Sequence, residues 1–124
     1  MIYYPAGNTA HPEKRGATRY CCRAEVSCRV VDPQGECAWS AWIANVSATG
    51  ICLLLKTRLE PGHIVTLHLF TDDAQSPRRL LAEVRHAEIY CPNNAWLHGL
   101  SFLRRLRNGE LQGLIQFPSQ RIER

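Results

Sequence analysis

A chain of 124 residues, 45% hydrophobic and 21% charged, is long enough to bury one core without disulfides or metal and too apolar to be a disordered segment. Of its basic residues thirteen are Arg and two are Lys, a bias toward planar, bidentate recognition of phosphate or guanine edges. A formal net charge of +4 falls short of the dense basic clusters that nucleic-acid binders carry, and stretches such as residues 51–55 are far too short to span a bilayer.

Residues 1–12 mix Tyr3, Tyr4, Pro5, Gly7 and Asn8 without periodicity and are expected to form an N-terminal arm with little structure of its own. Lys14, Arg15, Gly16, Ala17, Thr18 and Arg19 follow. Arg15 and Arg19 are four apart and share a face whether the segment is helical or extended, while Gly16 lets the chain turn between them. Two guanidinium forks on one side of an arm form a candidate clamp for an anion or for a guanine edge. The bland alternative is a solvated basic turn.

Residues 20–31 alternate apolar and polar side chains and predict the first strand. Turn residues at 32–35 lead to a second strand over 37–47, with Trp39 and Trp42 on opposite faces. Where that strand ends, residues 45–50 read Asn-Val-Ser-Ala-Thr-Gly. A period of two puts Asn45 and Ser47 on one face and leaves Val46 to the core. Gly50 suits a chain reversal, where it accepts positive φ and leaves room for a ligand near the backbone. The alternative is an Asx or Ser turn whose side chains satisfy only their own backbone.

A third strand is expected over 51–56, a turn at 59–62, a fourth strand over 64–70 and a polar loop over 71–77. In the fifth strand, 79–90, plain alternation puts His86 and Glu88 on the inner face with Leu80, Ala82 and Val84. A hairpin turn at 91–94 leads to the sixth, 96–102, where Gly99 allows close backbone approach. After the basic junction of Arg104, Arg105 and Arg107, Asn108 is expected to cap a helix reaching Phe117, with Glu110 in its first turn and Leu111, Leu114 and Ile115 as its apolar stripe. Six short strands with hairpin-length joins and one terminal helix predict an all-β fold, a six-stranded antiparallel β-barrel with a C-terminal α-helix.

Six cysteines are present, but the N-terminus has no basic segment followed by an apolar run, so no signal peptide is expected and the thiols are read as reduced, in the cytoplasm. No Cys-x-x-Cys pair occurs, and His11, His63, His68, His86 and His98 show no ligand spacing, so neither a metal site nor a catalytic triad is expected.

An Arg-x-x-x-Arg segment ahead of the first strand, together with Asn-x-Ser-x-x-Gly at the end of the second, resembles the PilZ domain family of bacterial cyclic di-GMP receptors. The resemblance spans residues 13–118, leaving 1–12 as the arm and 119–124 as a C-terminal tail, and Gly99-Leu100-Ser101-Phe102 is similar to the family's closing strand. It implies that Arg15 and Arg19 grip the phosphates and the Hoogsteen edge of guanine. Asn45 and Ser47 would bond a second guanine or phosphate, and Gly50 would keep the turn open. Lys14 stands where the family resemblance suggests that the side chain influences whether one ligand or a stacked pair binds, and a long cation there would leave room for the pair. Asn45 stands where the family often has Asp, and gives up a charge that would pair with guanine N1–H and N2–H₂.

The reading at this level is a non-enzymatic cytoplasmic sensor without cofactor. Cyclic di-GMP draws the arm against the barrel and alters a surface read by an unknown protein partner. The chain would act as a monomer or homodimer, with no membrane insertion and no nucleic acid expected. Motility, biofilm matrix synthesis and virulence are outputs the resemblance permits. Two rivals stand beside it. One is a PilZ-like adaptor working through protein contacts without nucleotide; the other is a basic barrel binding single-stranded nucleic acid on Trp39, Trp42 or Trp96.

Overall fold

A computed structural model describes residues 17–71, 77–90, 92 and 94–115. Six strands, β1 (Ser27–Val31), β2 (Ala38–Val46), β3 (Gly50–Leu55), β4 (Ile64–Phe70), β5 (Arg78–Tyr90) and β6 (Ala95–Phe102), precede one short helix, α1 (Asn108–Gln112). They form a closed antiparallel barrel in the order β1-β2-β3-β6-β5-β4. Closure comes from β1, whose short alternating run pairs with β2 on one side and β4 on the other, so none of the six described strands is an edge strand.

Alternation builds the core. Cys28 and Val30 of β1, Ile51, Leu53 and Leu55 of β3, and Val65, Leu67 and Leu69 of β4 are all buried in one cluster. Each large aliphatic side chain so placed stabilises the barrel by about 1.5–3 kcal/mol. Gly35 and Gly62 take positive φ of 75° and 96°, which the turns before β2 and β4 require, and Asn94 takes 52° in the β5–β6 turn.

The first expected strand is shorter than its pattern. Residues 20–26 alternate, yet regular pairing begins only at Ser27. Before that point Tyr20 bridges to Val46 at the end of β2, and Cys22 bridges to Ile115 beyond the helix. Period two fits this segment because it too lies half-buried between two partners, but they are not one continuous strand.

The helix also differs. Arg107, not Asn108, is its N-cap, and it ends at Gln112 rather than Phe117, with Gly113 as its C-cap. Gly113 costs helix propensity, and the chain is needed elsewhere: the Leu114 carbonyl accepts the Arg23 N–H at 2.8 Å. Leu111, Leu114 and Ile115 are buried as the apolar stripe requires, and with Leu106 they join the barrel core.

Glu110 fastens this closing segment. Its carboxylate accepts the Arg107 backbone N–H at 2.7 Å and two hydrogen bonds from the Arg104 guanidinium at 2.9 and 2.6 Å, with Arg78 of β5 at 3.4 Å. The Arg104 guanidinium and the Arg107 N–H hold the carboxyl down at about 2, well below its ordinary range. Glu110→Gln should therefore cost about 1 kcal/mol at neutral pH, measured by urea unfolding. Because the folded carboxyl titrates below the unfolded one, that contribution is complete above about pH 4.5 and disappears as the pH falls toward 2. The variant and the parent should converge there.

Candidate functional site

The end of β2 is where the N-terminal segment meets the barrel. Tyr20 N–H donates to the Val46 carbonyl at 2.8 Å, and Val46 N–H donates back at 3.0 Å. This reciprocal pair sets Arg19 beside Asn45, and the Arg19 guanidinium donates to Asn45 Oδ1 at 3.2 Å. The last arginine of the arm thus touches the first residue of the loop motif.

The contact orients the amide. A guanidinium only donates, so the amide oxygen faces Arg19 and the amide nitrogen points away. Asn45 is fully buried, and its Nδ2 has no hydrogen-bond partner among the described residues. A buried donor left in this way costs about 1–3 kcal/mol. What Asn45 can offer is therefore a hydrogen, to an acceptor such as a phosphate oxygen or guanine O6 or N7.

Ser47 is also fully buried, but its hydroxyl is occupied locally. Ser47 Oγ accepts the Thr49 and Gly50 N–H groups at 3.2 and 3.1 Å and lies 3.3 Å from Thr49 Oγ1. The Ser47 N–H donates to the Gly50 carbonyl at 2.8 Å. For this residue the self-satisfied turn is what the structure contains. Val46 stands in the core as expected.

Gly50 corrects an expectation. Positive φ among glycines is confined to Gly35 and Gly62 within the described residues, so the reversal does not need it at Gly50. On the side that a Cβ would take, the space is filled by the Leu100 backbone carbonyl. The glycine is needed for the close approach of β3 and β6, where Gly50 pairs with Ser101.

His86 is a second correction. Between Val84 and His86 the register of β5 against β6 slips by one residue, a bulge with Arg85 as the extra member. The slip moves His86 from the face of Val84 to the face of Gly99, and the imidazole occupies the space where a Gly99 Cβ would be. The histidine inside the barrel is instead His98, fully buried, with Nε2 accepting the Leu59 N–H at 2.9 Å. Burial pushes His98 down to about 4, with the Arg58 and His86 charges adding to the fall, so it is neutral at pH 7.

Lys14 and Arg15 lie outside the described residues. No disulfide is formed by Cys21, Cys22, Cys28, Cys37 or Cys52. Burial pushes the Cys22 and Cys28 thiols up to about 11 and 12, which suits inert small hydrophobes. Among the described residues no cluster of three His, Cys, Asp or Glu could hold a metal, and no helix is long and apolar enough to cross a membrane. Of the three tryptophans only Trp42 stands open, 75% exposed, while Trp96 lies under the Arg58 guanidinium at 5.5 Å.

A six-stranded barrel whose N-terminal segment lays an arginine on a buried asparagine at a strand end defines a class of small β-barrel domains. A family model described as the PilZ domain matches residues 13–117, and the chain belongs to that family. Solved structures that share its fold include three with the following likeness. The inhibitor of motility MotI/DgrA of Bacillus subtilis is 20% identical with a TM-score of 0.55, covering 79% of this chain and 47% of that one. A MrkH–c-di-GMP complex from K. pneumonia is 17% identical with a TM-score of 0.58, covering 78% and 48%. The PilZ domain of YcgR from Escherichia coli, with c-di-GMP, is 14% identical with a TM-score of 0.54, covering 78% and 83%. The chain therefore spans about half the length of the first two. No match is found among curated proteins.

Proposed function

We infer that the protein is a non-enzymatic receptor for cyclic di-GMP, held between the arginine arm and the outer face of the barrel beside Asn45. The observation that carries this is the Arg19–Asn45 hydrogen bond, which joins the two motifs and leaves a buried amide donor without a partner among the described residues. Membership of the PilZ family and the two c-di-GMP complexes among its structural neighbours support the same ligand. Arg15 and Arg19 supply forks for phosphate or for guanine O6 and N7, and Lys14 extends the cationic surface. Asn45 donates to an acceptor on the ligand. Ser47 acts by closing the turn, and Gly50 by letting β3 and β6 approach beside it. Ligand draws the arm onto the barrel, and the reordered arm changes a surface read by a partner protein.

Titration calorimetry of cyclic di-GMP into the purified protein tests this reading. Saturable binding is expected, weakened tenfold or more in Arg19→Ala and Asn45→Ala, because each removes a hydrogen bond to a charged or buried group worth about 1.5–3 kcal/mol. Deleting residues 1–19 should abolish binding while leaving the barrel folded by circular dichroism. Absence of heat and of any thermal shift at millimolar ligand would overturn the receptor reading in favour of an adaptor, a role to which the self-satisfied Ser47 turn is equally suited.

A further inference from the structure

Both bulges of the barrel act on one row of residues. Ile43 pairs with Leu53 and Asn45 with Cys52, so Ala44 is the extra residue in β2, as Arg85 is in β5. Each insertion reverses the alternation by one position. In β2 it turns Asn45 away from the face that Ile43 shares with the core, and in β5 it turns His86 away from the face of Val84. The pairings Asn45–Cys52, Cys52–Gly99 and Gly99–His86 then place the two polar side chains at opposite ends of one row across β2, β3, β6 and β5. Bulges that re-aim side chains in this way concentrate at functional sites.

The residues between are small, and Gly99 has a particular use. A Cβ on Gly99 would lie 2.7 Å from His86 Nε2 and 2.9 Å from Nδ1, so the ring leans across β6 toward Cys52 and Asn45. With strands about 4.8 Å apart, the imidazole sits roughly 10 Å from the β2 backbone, with small side chains between. The two ends differ in charge. Arg19 stands at the Asn45 end, whereas Glu83 and Glu88 occupy the rows on either side of His86, and Arg85 of the bulge pairs with Glu83 at 3.8 Å. The Arg85–Glu83 pair offsets one cation with one carboxylate, and what His86 adds at this end is an aromatic face.

The geometry points to His86 as a further ligand-contacting residue: its imidazole is the wall on which a purine base of the cyclic dinucleotide stacks, while the phosphates lie at the arginine end. This assignment rests on the receptor reading. Calorimetric titration with cyclic di-GMP of wild type, His86→Ala, His86→Phe and Arg19→Ala, each checked for an unchanged melting profile, separates the two. Loss of base stacking is expected to weaken His86→Ala by about tenfold, and His86→Phe, which keeps an aromatic face, should stay close to wild type. Wild-type affinity in His86→Ala, with binding lost in Arg19→Ala, would overturn the role of His86 and leave the receptor standing. A His86→Phe variant as weak as His86→Ala would overturn stacking as the contact. If wild type itself gives no saturable heat, the receptor reading fails and the assignment fails with it.

Discussion

Gly50→Ala is expected to lower the melting temperature by roughly 10–20 °C, a loss of about 3 kcal/mol. The cause is backbone, not ligand. The added Cβ would overlap the Leu100 carbonyl, a main-chain atom in the β3–β6 ladder that cannot rotate aside as a side chain would. Gly50 pairs with Ser101 at the first rung of that ladder, so relief requires the strands to part where the motif turn ends. The same turn anchors the closing segment, because the Thr49 carbonyl accepts the Phe102 N–H at 2.9 Å and the Ala48 carbonyl accepts the Leu106 N–H at 2.8 Å. Opening it disturbs β6 and the approach to α1 together. A thermal melt by circular dichroism checks this, and a melting temperature within about 2 °C of wild type would show that β3 and β6 can shift at little cost. The result also decides how any weakened ligand binding in Gly50 variants is to be understood. A glycine that matters through strand approach lowers stability and affinity together, whereas one that only makes room for ligand lowers affinity alone.

The limits of the sequence lie where a strand changes phase. Residues 64–70 show alternation without interruption, and β4 has those bounds. A bulge adds one residue without altering composition, so nothing in the run from Arg78 to Tyr90 marks Arg85 as the extra member. Plain alternation then carries His86 inward, and the structure turns it out. The candidate site is legible in its chemistry more than in its geometry. Residue type and spacing single out Arg19 and Asn45, but their contact depends on the Tyr20–Val46 pair, a tertiary bridge between segments 26 residues apart. Ser47 illustrates the converse. Its hydroxyl suits a ligand or its own turn equally well, and only the three-residue loop back to Gly50 settles which partner it holds.

Mild acidification is expected to destabilise the barrel through His98, by about 3 kcal/mol between pH 7 and pH 4. Its imidazole is fully buried in the strand that pairs with both β3 and β5, and Nε2 accepts the Leu59 N–H at 2.9 Å, which ties the turn before β4 to β6. Accepting that bond requires the neutral ring with its proton on Nδ1. Burial, then the charges of Arg58 and His86, lower its titration from an ordinary 6.5 to about 4. The unfolded chain therefore binds a proton that the folded one refuses throughout that interval, and stability, complete above about pH 6.5, declines steadily to about pH 4. Protonation below that point takes away the acceptor of the Leu59 N–H and leaves a charge in the core. Urea unfolding at pH 7, 6, 5 and 4 should show the midpoint falling by roughly 2 M. His98→Gln keeps an acceptor on a side chain that does not titrate, so its midpoint should start lower at pH 7 and change far less across the same range. A variant that follows the wild-type slope would assign the acid sensitivity to other groups. Glu110 cannot supply it, because its contribution changes only below about pH 4.5. The two windows meet without overlapping much, so a barrel first loosened from within by His98 loses the carboxylate that fastens its closing segment only at still lower pH.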